Sequence, residues 1–500
     1  MRPVDDRSRG CEPGQVSDWF LPTAERAWTS GNVVVPHVHG ANYFARLLEV
    51  VGATEPGDRI FLTDWRGDSD ERMTEDGPTV GELLASASRR GVEVRALLWR
   101  SHPGMLNTEE NDHLGAIINE SGGEALLDER VRRGGSHHQK LFVVRRKGRP
   151  EEDVAFVGGI DLCHGRRDDA EHAGDPQAPP LDKRYGPTPP WHDAMAEIRG
   201  PAVAHVLDTF AERWDDPTPL DHRNPYRAIQ HRLVKMPRHP EQLPERWDPP
   251  PEVGSHLVQI LRTYPAKRPA YPFAPEGERT IAAGYSRAFT RAKRLIYVED
   301  QYFWSGLVAA ALADALRREP ELQVIAVVPR YPEEDNRLSG PPMIYGQRRA
   351  WEALHEAGGD RFAMFDLENA AGTPIYVHAK VCVVDDRWMT IGSDNLNLRS
   401  WTHDSELTCA VVDPDGDLPR TVRASLWAEH LGLPEDDARL SDVGGAVDLW
   451  TDRVGAPGSR IRQHVPALLP RRTRLWARAA YRTLYDPDGR PRSLRGTTRF

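Results

Sequence analysis

The chain has 500 residues, 75 Asp plus Glu against 65 Lys plus Arg, and a formal charge of -10. That length exceeds what one core usually serves and predicts two or three domains or one duplicated unit, while the acidic balance disfavours a nucleic-acid backbone as partner. Its four cysteines, Cys11, Cys163, Cys382 and Cys409, lie far apart with no C-x-x-C pair, which argues against a structural metal and fits a reducing compartment.

The N-terminal stretch MRPVDDRSRGCEPGQVSDWF holds no apolar signal core, and no apolar run of about 20 residues appears anywhere. The expectation is a cytoplasmic protein, at most peripheral at the inner membrane surface. From Asn32 the chain alternates β and α patterns: NVVVPHVHG, then YFARLLEVV with helical spacing, DRIFLTDW as strand, and GELLASASRRGVEVRALLW as helix, glycine break and strand. This predicts a layered α/β domain. The polar, Pro-rich stretch from Arg166 to Pro190 reads as a long surface excursion beside a motif.

A second Pro-rich run follows residue 215, after which the alternation restarts with ERTIAAGYSRAFTRAKRLIYVEDQYFW and LVAAALADALRREPELQVIAVVP. The predicted organisation is an extension at 1–31, a first half at 32–214, a connector at 215–254, a second half at 255–433 and a basic tail at 434–500. From Ala456 onward the tail holds eleven Arg and only two acids, Asp486 and Asp488. It predicts either a face for anionic lipid or phosphate or an ordinary solvated or packed terminal helix, the latter being the commoner case.

Two segments carry chemistry. Residues 136–163 read SHHQKLFVVRRKGRPEEDVAFVGGIDLC and residues 377–401 read VHAKVCVVDDRWMTIGSDNLNLRSW. In each, His-x-Lys puts an imidazole and an ammonium on one face of a strand, and a hairpin returns a Gly-Gly or Gly-Ser corner to them. His138 aligns with His378, Lys140 with Lys380, Gly159 with Ser393, and Asp161 with Asn395. From lysine to the first corner glycine is 18 residues in the first copy and 12 in the second, so the first hairpin is longer by six. Asp385 follows the second strand and is counted with the catalytic set; Arg145 stands in its place in the first copy. Pairing residue against residue sets Arg145 opposite Asp153 and predicts an ion pair worth about 0.2 to 1 kcal/mol.

One His-x-Lys is weak evidence, and two equivalent ones are strong. Two lysines and the corner donors suit the nonbridging oxygens of a phosphodiester, one neutral histidine can attack phosphorus, and the other can protonate the leaving alcohol. No metal or other cofactor is needed in that scheme.

The duplicated H-x-K with its glycine corner, together with WHDAMAEIRGPAV from Trp191 and IYVEDQYFW from Ile296, resembles the phospholipase D superfamily, and the eukaryotic-type enzymes most. The resemblance covers most of residues 130 to 430. It implies two α/β/α sandwich halves about a pseudo-two-fold axis with one site at their interface, His138 as nucleophile and His378 as general acid and base. It also implies substrate contacts for Gly159, Asp161, Ser393 and Asn395, and orienting carboxylates at Asp193 and Glu406 reaching in from the opposite half. The implied activity is hydrolysis of a glycerophospholipid to phosphatidic acid, or phosphatidyl transfer to an alcohol. A phospholipid is then the expected partner, with no nucleic acid and a monomer favoured. Cardiolipin-synthase-like transfer, a phosphodiester nuclease and a non-catalytic lipid-binding protein stay open as alternatives, the last because of Arg145.

Overall fold

The computed structural model describes residues 17–22, 28–102, 108–220, 229, 237, 239–333, 340–414, 417–495 and 497. Its strands form two sheets of the same design. The first contains β1 (Thr29–Val38), β2 (Arg59–Asp64), β3 (Glu93–Trp99), β4 (Glu124–Asp128), β5 (Leu141–Arg145), β6 (Val154–Gly158) and, after the short β7 (Trp191–His192), β8 (Ala194–Arg199). The second contains β9 (His256–Tyr264), the short β10 (Glu278–Arg279), β11 (Leu295–Glu299), β12 (Gln323–Val327), β13 (Phe362–Glu368), β14 (Pro374–Val377), β15 (Val381–Val384), β16 (Trp388–Gly392), β17 (Glu406–Val412) and β18 (Ile461–Gln463).

Spatial order exposes the duplication. The first sheet runs β1–β8–β6–β5–β2–β3–β4 and the second β9–β17–β16–β15–β11–β12–β13, antiparallel up to β2 and β11 and parallel from there in both. Strands β1 and β9 pair antiparallel and join the two sheets, and β18 extends the second sheet beyond β13.

Helices α1 (Gly40–Gly52), α2 (Val80–Arg89) and α3 (Glu109–Glu120) cover the outer face of the first sheet. Helix α2 begins at Val80 because Thr79 and Glu82 form a capping box ahead of buried Leu83, Leu84 and Ala87. Between the sheets lies α4 (Ala202–Trp214), and α5 (Thr280–Arg291), α6 (Gly306–Arg318) and α7 (Gly340–Gly358) cover the outer face of the second sheet. The chain ends with α8 (Leu398–Thr402), α9 (Asp417–Leu431), α10 (Ala446–Arg453) and α11 (Arg471–Ala480). One apolar cluster joins the inner faces of both sheets, from Val34, Ala196 and Ile198 to Ile260, Leu407 and Val411, with Phe210, Trp427 and Trp450 plugged into it. Pulling the halves apart would expose that face to water, so they form one cooperative unit.

The stretch after Arg166 has many exposed residues, as expected of a surface excursion, but it is pinned into the fold at intervals. It is a strap between the halves: His172, Asp175 and Tyr185 are fully buried, the Asp182 N–H donates to Glu333 O at 2.9 Å, and the Tyr185 hydroxyl donates to Tyr331 O at 2.6 Å. Polar composition signalled solvent, but Asp168 and Asp175 spend their oxygens on backbone N–H groups of Trp191 and Gly165 inside the fold.

Candidate active site

Strands β5 and β15 each begin directly after a His-x-Lys, at the sheet end facing the other half. There the halves cross-pair. β14 runs parallel to β7, and the His378 N–H donates to His192 O at 2.8 Å; a parallel bridge joins His137 to Ser405, and the His138 N–H donates to Ser405 O at 2.9 Å. Each histidine is thus laid beside the residue preceding the other half's carboxylate. Nδ1 of His378 lies 2.6 Å from Asp193 Oδ2, and Nδ1 of His138 lies 2.9 Å from Glu406 Oε2. Register makes the two carboxylates equivalent, since Gly158 pairs with Met195 and Gly392 with Thr408, each two residues beyond its carboxylate. A carboxylate on Nδ1 fixes the tautomer that leaves Nε2 free for chemistry.

The lysines turn inward from the same strands. Lys140 Nζ donates to His138 O at 3.1 Å and pairs with Asp161 at 3.3 Å; Lys380 Nζ donates to His378 O and lies 3.4 Å from Gln301 Oε1. Burial, then Lys140 and Lys380, holds His138 well below the usual imidazole value; burial, then Lys380 and Arg166, does the same for His378. The influence of each lysine on the opposite histidine marks one shared electrostatic site. Burial brings the Lys380 ammonium down to about 8. Burial and the charge of Asp404 push Glu406 up to about 8. Burial works against the ionised Asp161, but Lys140 at its side draws it down to about 2.

The corner residues support this arrangement more than they face outward. The Gly159 N–H is taken by Ala194 O at 3.0 Å, and a Cβ on Gly159 would stand 2.2 Å from Asp193 Oδ1, so this glycine makes room for the carboxylate. At the matching position the Ser393 hydroxyl donates to Glu406 Oε2 at 2.5 Å. Asn395 is buried, and its Oδ1 has no hydrogen-bond partner among the described residues.

Asp385 is not at the site, and its inclusion with the catalytic residues is corrected. It stands at the far end of β15, at φ +52°, and accepts the N–H groups of Lys293, Arg294 and Leu295 at 2.7, 2.8 and 2.8 Å. It clamps the entry of β11. The first half does this otherwise: Val144 pairs with Val154 as expected, Arg145 donates to Asp153, and the longer turn folds down so that the Lys147 N–H reaches Asp58 Oδ1 at 2.8 Å. Both members of the Arg145–Asp153 pair are buried, and the guanidinium also donates to Asp248 O at 2.6 Å. Arg145 therefore marks a different clamp on the same strand end.

Some site residues carried no signal strong enough to be named from sequence. Arg166 is buried, its guanidinium lies 3.9 Å above the Trp191 ring and 4.0 Å from Asp161, and its Nε has no hydrogen-bond partner among the described residues. Its only sequence cue is its place seven residues beyond Gly159. Trp191 packs against His378 with ring centroids 4.9 Å apart, and Trp65 meets His138 edge-on at 5.9 Å. Beside Lys380, a cavity of about 720 Å³ is lined by Gln301, Tyr302, Trp304, Tyr376 and Met343. Tyr302 and Trp304 stack at 4.0 Å on its wall, whereas Phe303 is core.

Behind Asp193 lies a buried histidine network. Glu299 accepts from His192 and His430 at 2.7 and 2.8 Å, and Glu429 from His39 and His172 at 3.0 and 3.1 Å. These are the described residues that could hold a divalent ion: ligand-type atoms of His39, His172, His192 and Glu429, and of His192, Glu299 and His430, lie within 4.8 Å of one another. The mutual hydrogen bonds already account for the clustering, and they brace the strand that carries Asp193.

Fold and site together define a duplicated α/β protein with one histidine–lysine centre at the junction of its halves. The chain belongs to the phospholipase D superfamily. The family model "Phospholipase D" matches residues 65–309, and "Cardiolipin synthase, PLD-like domain" matches residues 285–426. Phospholipase D alpha 2 of Oryza sativa subsp. japonica is 28% identical over 76% of this chain and 62% of its own length, and phospholipase D beta 2 of Arabidopsis thaliana 27% over 75% and 55%. The chain thus spans roughly three fifths of these relatives. Among solved structures, phosphatidylserine synthase of Haemophilus influenzae Rd KW20 has a like fold, with a TM-score of 0.56 at 14% identity over 95% of this chain and 97% of that one.

Proposed function

We propose that the protein is a phospholipase D-type enzyme that cleaves a glycerophospholipid on the headgroup side through a phosphohistidine. The observation that carries this is the pair of crossed contacts, His138 with Glu406 and His378 with Asp193, each histidine oriented by a carboxylate from the other half. Burial, with Lys140 and Lys380 beside it, keeps His138 neutral, and the contact of its Nδ1 with Glu406 leaves the Nε2 lone pair available. Nε2 of His138 forms a bond to phosphorus as the bond from phosphorus to the headgroup oxygen breaks. His378 gives its proton to that departing oxygen. Burial, then Lys380 and Arg166, holds the proton off His378, and the negative charge of the lipid phosphate offsets those two cations and so favours the protonation. A water or an alcohol then loses its proton to His378 and attacks phosphorus, releasing His138 with phosphatidic acid or a phosphatidyl alcohol as product. Lys140, Lys380, Arg166 and Asn395 cradle the nonbridging oxygens throughout.

Incubation with phosphatidylcholine and ethanol tests the reading: phosphatidic acid and phosphatidylethanol are expected, and absence of both across several headgroups sinks it. The second reading, transfer between two phospholipids, is favoured by the cardiolipin-synthase match over the half that carries His378. Phosphatidylglycerol as sole lipid distinguishes it, because transfer releases glycerol and forms a lipid with two phosphates. Free, buried Cys163, Cys382 and Cys409 support a reducing, cytoplasmic setting, with the enzyme acting peripherally at the membrane.

A further inference from the structure

The segment after β18 does not behave like an ordinary packed terminus. Of eight exposed large hydrophobic side chains among the described residues, five fall between 465 and 484: Val465, Leu468, Leu475, Trp476 and Leu484, with Leu475 76% and Leu468 72% exposed. Helix α11 contributes only Ala477 to the interior. Its anchor is Tyr481, whose ring meets Tyr345 of α7 edge-on and whose hydroxyl donates to Trp304 O at 2.8 Å.

Arginines interleave with these apolar side chains. Arg471, Arg474 and Arg478 line a groove of about 440 Å³ between α11 and α7, opposite Arg349. None of these four has an ion-pair partner among the described residues, and the one acid in the groove, Glu352, is engaged by Arg348 at 2.9 Å. In a chain of charge -10 this is a concentrated positive patch.

We propose that the α7–α11 groove and its leucine rim are a docking site for anionic phospholipid at a membrane surface. Leucines this exposed gain nothing in water but gain from entering hydrocarbon, while arginines beside them reach back to lipid phosphates. A nucleic acid would satisfy the arginines and leave the leucines wet. Ala467 lines both this groove and the 720 Å³ cavity whose Gln301 reaches Lys380, so a membrane seated here adjoins that cavity and, through Gln301, the lysine of the candidate active site. That last step rests on the lipid-cleaving reading; the docking does not.

The test is co-sedimentation of the full chain with phosphatidylcholine vesicles and with vesicles that also contain phosphatidylglycerol. Binding is expected only to the second kind and should weaken at high salt. The triple variant Arg471→Gln, Arg474→Gln, Arg478→Gln should lose on the order of a hundredfold in affinity, and Leu475→Ser with Leu468→Ser should lose binding even at low salt. Both variants should keep the wild-type melting temperature and, where the catalytic reading holds, wild-type turnover of a short-chain phospholipid dissolved as monomer. Wild-type affinity in either folded variant, no preference for phosphatidylglycerol, or tighter binding to single-stranded RNA than to vesicles would overturn the proposal. Vesicle binding without any phospholipid turnover would sustain the docking site and remove the catalytic reading alone.

Discussion

Asp193 Oδ2 lies 2.6 Å from Nδ1 of His378, although 185 residues separate them and they belong to different halves. Glu406 serves His138 in the same way. Neither histidine is complete within its own half.

Asp193→Asn and Glu406→Gln keep the size of the side chain and lose the carboxyl oxygen that faces Nδ1 and selects the tautomer. Each should lower kcat by roughly 10² to 10⁴, the range typical of a disabled acid or base, with little change in melting temperature. Steady-state kinetics on a monomeric phospholipid reads the effect; a rise in KM at unchanged kcat would assign both residues to substrate binding.

The nucleophile can be identified by trapping. With a phosphatidyl ester of p-nitrophenol, whose leaving group needs no proton, His378→Ala should release one burst of nitrophenol and stall as the phosphohistidine. Mass spectrometry should find the adduct on the peptide holding His138. A burst from His138→Ala and none from His378→Ala would reverse the assignment.

The two strand-end clamps should matter for stability alone. Asp153→Ala strands the buried Arg145 guanidinium and the Arg146 N–H, and loss of one partner of a buried pair costs about 3–5 kcal/mol. Asp385→Ala removes the acceptor of three N–H groups at a left-handed position, an expected loss of about 2 kcal/mol, with Asp385→Asn milder because asparagine keeps one oxygen and tolerates that conformation. Urea unfolding reads both. Turnover per folded molecule should stay within about twofold, and a collapse of kcat in Asp385→Asn would return that residue to the catalytic set.

Lys380 sets the alkaline limit. Its ammonium, brought down to about 8 by burial with Lys140 adding to the effect and Asp193, Asp300 and Asp161 opposing it, is lost as pH rises through 8. The limb of kcat/KM, which reports the free enzyme, should therefore fall near pH 8. Stability should move the other way: an unfolded lysine keeps its proton to about 10.5, so the charged, buried Lys380 costs stability below pH 8 and that cost fades between 8 and 10.5. Lys380→Arg, weaker but always charged, should lose the limb. Glu406 titrates near the same pH, so Glu406→Gln serves as the control and should retain it.

Most of the fold and the centre of the site were legible from residue order. The α and β periods returned in the same succession after the Pro-rich stretch, and identical strand orders followed because each half must bury the same faces. His138, Lys140, His378 and Lys380 were legible because a period of two puts them on one side of a strand, which is a local rule. The register of the first hairpin followed as well, down to Arg145 beside Asp153, since antiparallel pairing counts residues.

What only the tertiary structure decided lies across distances that no local rule spans. Asp385 sits five residues from Lys380 yet faces away from it, because the strand carries it to the opposite end and a left-handed turn points its oxygens at β11. Arg166 is held at the centre by the ring of Trp191, and the strap after it is pinned between the halves because its acids satisfy backbone donors, not because its composition is apolar. The basic tail carried an ambiguity that exposure removed: whether Leu475 faces core or water depends on what α7 leaves uncovered, a property of packing and not of sequence period. Periodicity determines which side chains travel together; the meeting of two separately folded faces determines what they meet.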